Sequence, residues 1–186
     1  MAEVSSWYNR EDGFSLIEIR LNSVQQLFNS FDPSPFHEKD LDADAEEYIV
    51  DAVREFPLAA PLKLVFHLPS DQRGSPAVAT LAESIHNYFE YRRDATARDL
   101  RFLLQEGRRA LAIGLAFLSA CLVVRQLLFM GTGTIAEIVG ESLLIGGWVA
   151  MWRPMEIFLY EWWPIWEMRR VYEKLASIKV ECRPAS

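Results

Sequence analysis

The stretch Ala110-LAIGLAFLSACLVVRQLLFMGTGTIAEIVGESLLIGGWVAM-Trp152 decides how this chain is read. Its only ionisable groups are Arg125, Glu137, Glu141 and the thiol of Cys121, while charge-rich segments flank it on both sides. An apolar run of this length marks a membrane-crossing segment rather than a soluble core. Residues 110–130 would extend about 31 Å as a helix, which matches the hydrocarbon thickness of a bilayer. Gly131-Thr-Gly-Thr134 offers a tight turn. A second apolar helix follows, so the stretch predicts a two-helix transmembrane hairpin with spans near 110–130 and 135–157. Arg92, Arg93, Arg98, Arg101, Arg108 and Arg109 precede the first span, and Arg169, Arg170, Lys174, Lys179 and Arg183 follow the second. Between the spans the only basic residue is Arg125. Basic residues stay on the cytoplasmic side, which predicts both termini in the cytoplasm and the turn outside.

The charges inside the hairpin suggest its register. With the turn centred near Gly133, residues facing each other across antiparallel helices sum to about 265. Arg125 then lies opposite Glu141, and Arg109 opposite Glu156. The two pairs are roughly 24 Å apart along the helix, close to the depth of the apolar slab, so one pair marks each interface. An ionised group deep in lipid costs at least ~2.5 kcal/mol, which favours pairing at the edges. Arg153 has two placements. It snorkels from just inside the cytoplasmic boundary, with Pro154 kinking the helix after it, or it sits near mid-membrane as a functional pair with Glu156.

Close helix approach in lipid favours small residues. Ala112, Ala116 and Ala120 form such a stripe on the first span, and Gly140, Gly146 and Gly147 lie on the second. They either pack the hairpin shut or meet another subunit. Beyond the kink, Phe158-Leu-Tyr-Glu-Trp-Trp-Pro-Ile-Trp166 is rich in residues that settle at the water–lipid boundary. Met168–Ile178 continues as a basic amphipathic helix suited to anionic headgroups.

Length and composition set the outer bounds. The 186 residues, 51% hydrophobic and 24% charged, suit one small domain plus an appendage. A net charge of −7 argues against general nucleic-acid binding. The two cysteines, Cys121 and Cys182, make neither a thiolate metal site nor a disulfide framework. Met1–Arg20 has no apolar core of signal-peptide length, so insertion is expected to be driven by the internal apolar segments.

Residues 1–14 read as a polar arm. Ser15–Leu21 alternates as a half-buried strand, and a short helical turn follows around Val24–Phe28. The prolines of Asp32-Pro-Ser-Pro-Phe36 rule out a helix there. Asp42–Phe56 is an amphipathic helix with Asp42 as N-cap, ended by Pro57 and Pro61. Leu62–Leu68 is a second strand. A long helix then presents Val78, Leu81, Ala82, Ile85 and Phe89 inward. Strand–helix–strand–helix order favours a parallel pair. Two strands make a poor sheet, so either the arm adds a third or neighbouring copies complete it, and self-association is expected. The predicted architecture is an arm (1–14), a small cytosolic α/β (β-α-β-α) domain with its long connecting helix (15–104), the hairpin (105–160), and an interfacial basic amphipathic helix with its tail (161–186).

No residue set points to a reaction. Asp40, Asp42 and Asp44 with Glu46, Glu47 and Asp51 imitate the opening of a calcium loop, but Ala45 replaces its glycine and Asp51 its final glutamate. An acidic first helical turn explains them as well. This surface also suits docking on the arginines of 92–109, in the same copy or the next. His37, His67 and His86 share no metal-binding spacing. Phosphate-loop, nucleophile-elbow and kinase patterns are all missing. No catalytic residue, metal or cofactor is therefore expected.

Asp32-Pro-Ser-Pro-Phe36, Asp40-Leu-Asp42, Ala45-Glu-Glu-Tyr-Ile49 and Gly147-Trp-Val-Ala-x-Trp-Arg-Pro-x-Glu156 together resemble a family of uncharacterised small bacterial two-span membrane proteins. The resemblance covers most of residues 15–170 and implies topology in the bacterial cytoplasmic membrane, with no activity attached. The sequence predicts a non-enzymatic, self-associating adaptor, scaffold or regulatory subunit whose partners are the lipid bilayer, further copies of itself and possibly another membrane protein. The alternative is an oligomeric pore lined by Arg125, Glu141, Arg153 and Glu156.

Overall fold

Strand β1 (Arg10–Glu11) turns through Asp12 and Gly13 into β2 (Phe14–Arg20), with Glu11 opposite Phe14. Both turn residues have positive φ, 51° and 83°, which the two-residue Asp-Gly hairpin requires. This is a computed structural model; it describes residues 8–35, 39–70, 72, 75–128 and 134–185. Gly131, Thr132 and Gly133 of the expected turn, His37, and Asp71, Arg73 and Gly74 lie outside the described residues. The remaining elements are a 3₁₀ turn at Val24–Leu27, α1 (Ala43–Arg54), β3 (Leu62–Leu68), α2 (Pro76–Leu128), α3 (Thr134–Ala150), α4 (Trp152–Glu156), a π turn at Ile157–Glu161, α5 (Trp162–Leu175) and β4 (Lys179–Pro184).

The chain divides into two compact units, Met1–Ala95 with Met168–Ser186, and Thr96–Glu167. The first is a mixed α/β unit whose sheet runs β1-β2-β3-β4. β2 pairs parallel to β3, as the helical crossover through α1 predicts, and β3 pairs parallel to β4. Alternation along β2 and β3 puts Ile17, Leu64, Phe66 and Leu68 into one core, fully buried with Ile49 of α1 and Leu81, Ile85 and Phe89 of α2. Asp42 caps α1 as expected, accepting the Asp44 amide at 3.1 Å.

Of the two ways to complete the sheet, the arm supplies one strand, β1, and β4 adds another from the C-terminal tail, so pairing with other copies is not needed to finish it. One expectation for this unit changes. The C-terminal helix does not keep its apolar face for headgroups. Val171, Tyr172 and Leu175 are buried in the core with Ile178, and β4 follows at once. Their spacing is the amphipathic pattern the sequence displays. A protein core and a lipid surface select the same pattern.

In the second unit, one helix among the described residues, α2, is long and apolar enough to cross a membrane. The second continuous span expected over 135–157 is not found. α3 has 17 residues and stops at Ala150, Met151 turns, and α4 and the π turn follow. Pro154 accounts for the break. It has no N–H to give the Ala150 carbonyl, and a helix loses its ladder at that step.

Candidate functional site

The candidate site is the apolar surface of residues 96–167. Within its most apolar 18-residue window, only 11% of α2 is buried. The core helix of a soluble protein would be mostly covered at this hydropathy. Ile113, Leu115, Phe117, Val123 and Leu127 of α2 are exposed, as are Ile138, Ile145, Trp148 and Val149 of α3. Ile113 is 70% exposed and Trp148 61%, values expected of charged side chains in water. Exposed apolar residues in this number on two helices mark a surface suited to a membrane or a protein partner.

Glycines set how α2 and α3 meet. A Cβ on Gly114 would lie 2.9 Å from the Ala150 carbonyl oxygen and 3.0 Å from Met151 Sδ. One on Gly147 would lie 2.7 Å from Leu118 Cδ1 and 3.5 Å from the Cys121 Cβ. One on Gly107 would lie 2.8 Å from Ile157 Cγ2. The helices are thus antiparallel, and Gly107 with Phe158, Gly114 with Met151 and Gly147 with Leu118 all follow the register read from the sequence. The Ala150 carbonyl that Pro154 cannot engage is the one lying against Gly114.

The stripe nominated on α2 is not the one in contact. Ala112, Ala116 and Ala120 are exposed, whereas Gly107, Gly114 and Cys121 are buried. Successive helical residues advance by about 100°, so positions two removed from Gly114 face the other way. On α3, Gly140 and Gly147 are buried, while Gly146 has open space beside it. Seven-residue spacing, Gly107 to Gly114 and Gly140 to Gly147, was the signal to follow.

The charge pairs also differ. Arg153 holds three carboxylates: Glu106 of α2 at 3.0 Å, Glu156 at 3.4 Å, and Glu161 of the π turn in a short contact. Glu156 therefore pairs with Arg153 rather than with Arg109, because a partner one helical turn away on the same face is nearer than one across the helices. Arg125 is half-buried and level with exposed Glu141, and no ion pair between these two is found among the described residues. Beside the Arg153 cluster, Trp162, Trp163 and Trp166 pack ring against ring at 5.3–6.4 Å, and Trp163 is exposed.

In the α/β unit the acidic docking residues separate. Asp40, Asp44 and Glu47 are exposed, and Asp42 is the cap. Glu46 turns inward. Its carboxylate meets Arg92 at 2.8 Å and accepts the hydroxyls of Tyr88 at 2.6 Å and Tyr172 at 3.0 Å. Arg92 also donates to the Tyr172 hydroxyl at 3.0 Å. Burial, then the Glu46 carboxylate, pushes the Tyr88 hydroxyl well above the usual tyrosine range. The acid–arginine contact expected on charge grounds thus exists within one copy, at a single residue, as a pin joining α1, α2 and α5.

On the sheet, Glu181 lies between Arg183 and Lys63, both at 3.0 Å, and Arg183 also reaches Glu11. Hydrogen bonds from Arg183, then Lys63, lower the Glu181 carboxyl to about 2. Glu18 is held low by His67 at 2.9 Å and by Asn9. His86 contacts the Ile178 carbonyl at 2.8 Å. No group of three potential metal ligands exists among the described residues.

No protein-family model matches the chain, nor does any curated protein or solved structure.

Proposed function

We propose that α2 from residue 110 enters a bilayer and that the chain returns through the shorter α3 and the kinked segment to residue 157, with the turn on the far side and both termini in the cytoplasm. The chain then acts as a non-enzymatic membrane-anchored adaptor, scaffold or regulatory subunit that presents its α/β unit to cytosolic partners. The observation that supports this reading is the mismatch between hydropathy and burial in α2, whose apolar window is 11% buried, together with the exposed Ile138, Ile145, Trp148 and Val149 of α3. Antiparallel contact through Gly114 and Gly147 fits two helices crossing together. The excess of arginine and lysine outside the spans orients the hairpin. Placement in a bacterial cytoplasmic membrane rests on the family resemblance. Self-association is a separate proposal, since the sheet no longer calls for it.

Alkaline carbonate extraction of membranes carrying the full chain tests the anchor. The chain is expected to stay with the lipid pellet. Release into the supernatant would end this reading.

A further inference from the structure

Arg98, Arg101, Arg108 and Arg109 are all exposed on α2. Among the described residues none of them takes part in an ion pair, whereas Arg92, Arg93, Arg153, Arg170 and Arg183 all do. At about 100° per residue, the four fall within an arc of roughly 100°. Phe102, 68% exposed, shares that face. Gly107 and Gly114, which meet residues of the π turn and of α3, lie on the opposite side of the helix. Glu106, one turn before Arg109 on α2, is engaged by Arg153, and Asp94, one turn before Arg98, is engaged by Arg93. The same face runs on into the apolar stretch as exposed Ala112, Ala116 and Ala120. The result is a cationic stripe that begins within a turn of the apolar segment, on the side of α2 away from Gly107 and Gly114.

We infer that this stripe binds the headgroups of anionic phospholipids in the leaflet that α2 enters. The occupant follows from charge and position. Four guanidinium groups need anions, each can take a phosphate with paired N–H bonds, and the nearest phosphates to a helix entering lipid are those of its own bilayer. Glu156, the acid level with Arg109 across the helices, pairs with Arg153 instead. The inference rests on the membrane-anchor reading.

The full chain is reconstituted into phosphatidylcholine vesicles containing a minor fraction of phosphatidylglycerol. Quenching of its tryptophans by brominated phosphatidylglycerol is then compared with quenching by brominated phosphatidylcholine. The wild type is expected to prefer the anionic lipid several-fold, and the preference should fall as salt rises. Changing all four arginines to glutamine should bring the ratio to about one, with the chain still resistant to carbonate. Changing them to lysine should keep most of the preference. An inserted wild type with no preference, or a glutamine variant that keeps it, overturns the inference and leaves the anchor standing. A chain that carbonate extracts sinks the anchor itself. If the glutamine variant instead loses oligomer mass at unchanged lipid preference, the stripe serves the acidic α1 face of a second copy and the inference is wrong.

Discussion

Gly114 and Gly146 should respond oppositely to one added methyl group. At position 114 the new Cβ would meet the Ala150 carbonyl oxygen at 2.9 Å and Met151 Sδ at 3.0 Å. The first is backbone and cannot swing aside, so the helix contact must open by several tenths of an ångström. Overpacking of this kind costs about 1–3 kcal/mol. At position 146 nothing lies within 4 Å, and alanine favours the helix over glycine by up to ~1 kcal/mol. The two variants should therefore differ by roughly 2 kcal/mol, or about thirtyfold in an opening equilibrium. Cys121 reports that opening, because it is buried against Gly147. In a Cys182→Ser background in detergent, maleimide should modify Cys121 at least about tenfold faster in Gly114→Ala than in the parent. Gly146→Ala should react at the parent rate or more slowly. Equal rates in all three proteins, or a larger effect at 146, would refute the antiparallel contact described here.

Further outcomes follow from the α/β unit. Glu46→Ala leaves Tyr88, Tyr172 and Arg92 without their shared acceptor and should cost about 2 kcal/mol or more, read as a fall in Tm, while exposed Glu47→Ala should stay within about 0.5 kcal/mol. Leu175→Ala should cost about 2–5 kcal/mol, because this fully buried side chain belongs to the core; an unchanged denaturation midpoint would return α5 to the membrane surface. Glu181 is lowered from 4.5 to about 2, so its contribution is complete above its unfolded value and is lost as pH falls from about 4.5 towards 2. Denaturant midpoints across that window should decline, and Glu181→Gln should flatten the decline.

The sequence carried the parts governed by local periodicity. β3 has the bounds its alternation predicts, Asp42 caps α1, and the parallel β2–β3 pair follows from the helix between them. β1 is legible in part: the arm is a candidate third strand, but beside the Asp12-Gly13 turn the strand is too short to show alternation. β4 was not legible. Lys179–Pro184 pairs with a strand more than a hundred residues earlier, and such a partner leaves no local trace. For α5 the amphipathic pattern was read correctly and its solvent wrongly, since Val171, Tyr172 and Leu175 face protein. In the apolar unit, symmetry gave the register between α2 and α3, but helical phase decided which small residues touch. A stripe of alanines at four-residue spacing lost to Gly107 and Gly114, where a Cβ would meet Ile157 Cγ2 at 2.8 Å and the Ala150 carbonyl oxygen at 2.9 Å. Of the two partners the sequence offers Glu156, Arg109 across the helices and Arg153 three residues before it, the structure has Arg153.

Site-directed labelling of topology tests the central claim most directly. Single cysteines at Gly133, Ser5 and Ser186, in a background without Cys121 and Cys182, are probed with a membrane-impermeant maleimide on intact cells and again after permeabilisation. The hairpin predicts that position 133 labels on intact cells, while positions 5 and 186 label only once the membrane is opened. Labelling of 5 and 186 from opposite faces, or of all three positions alike before permeabilisation, would contradict it.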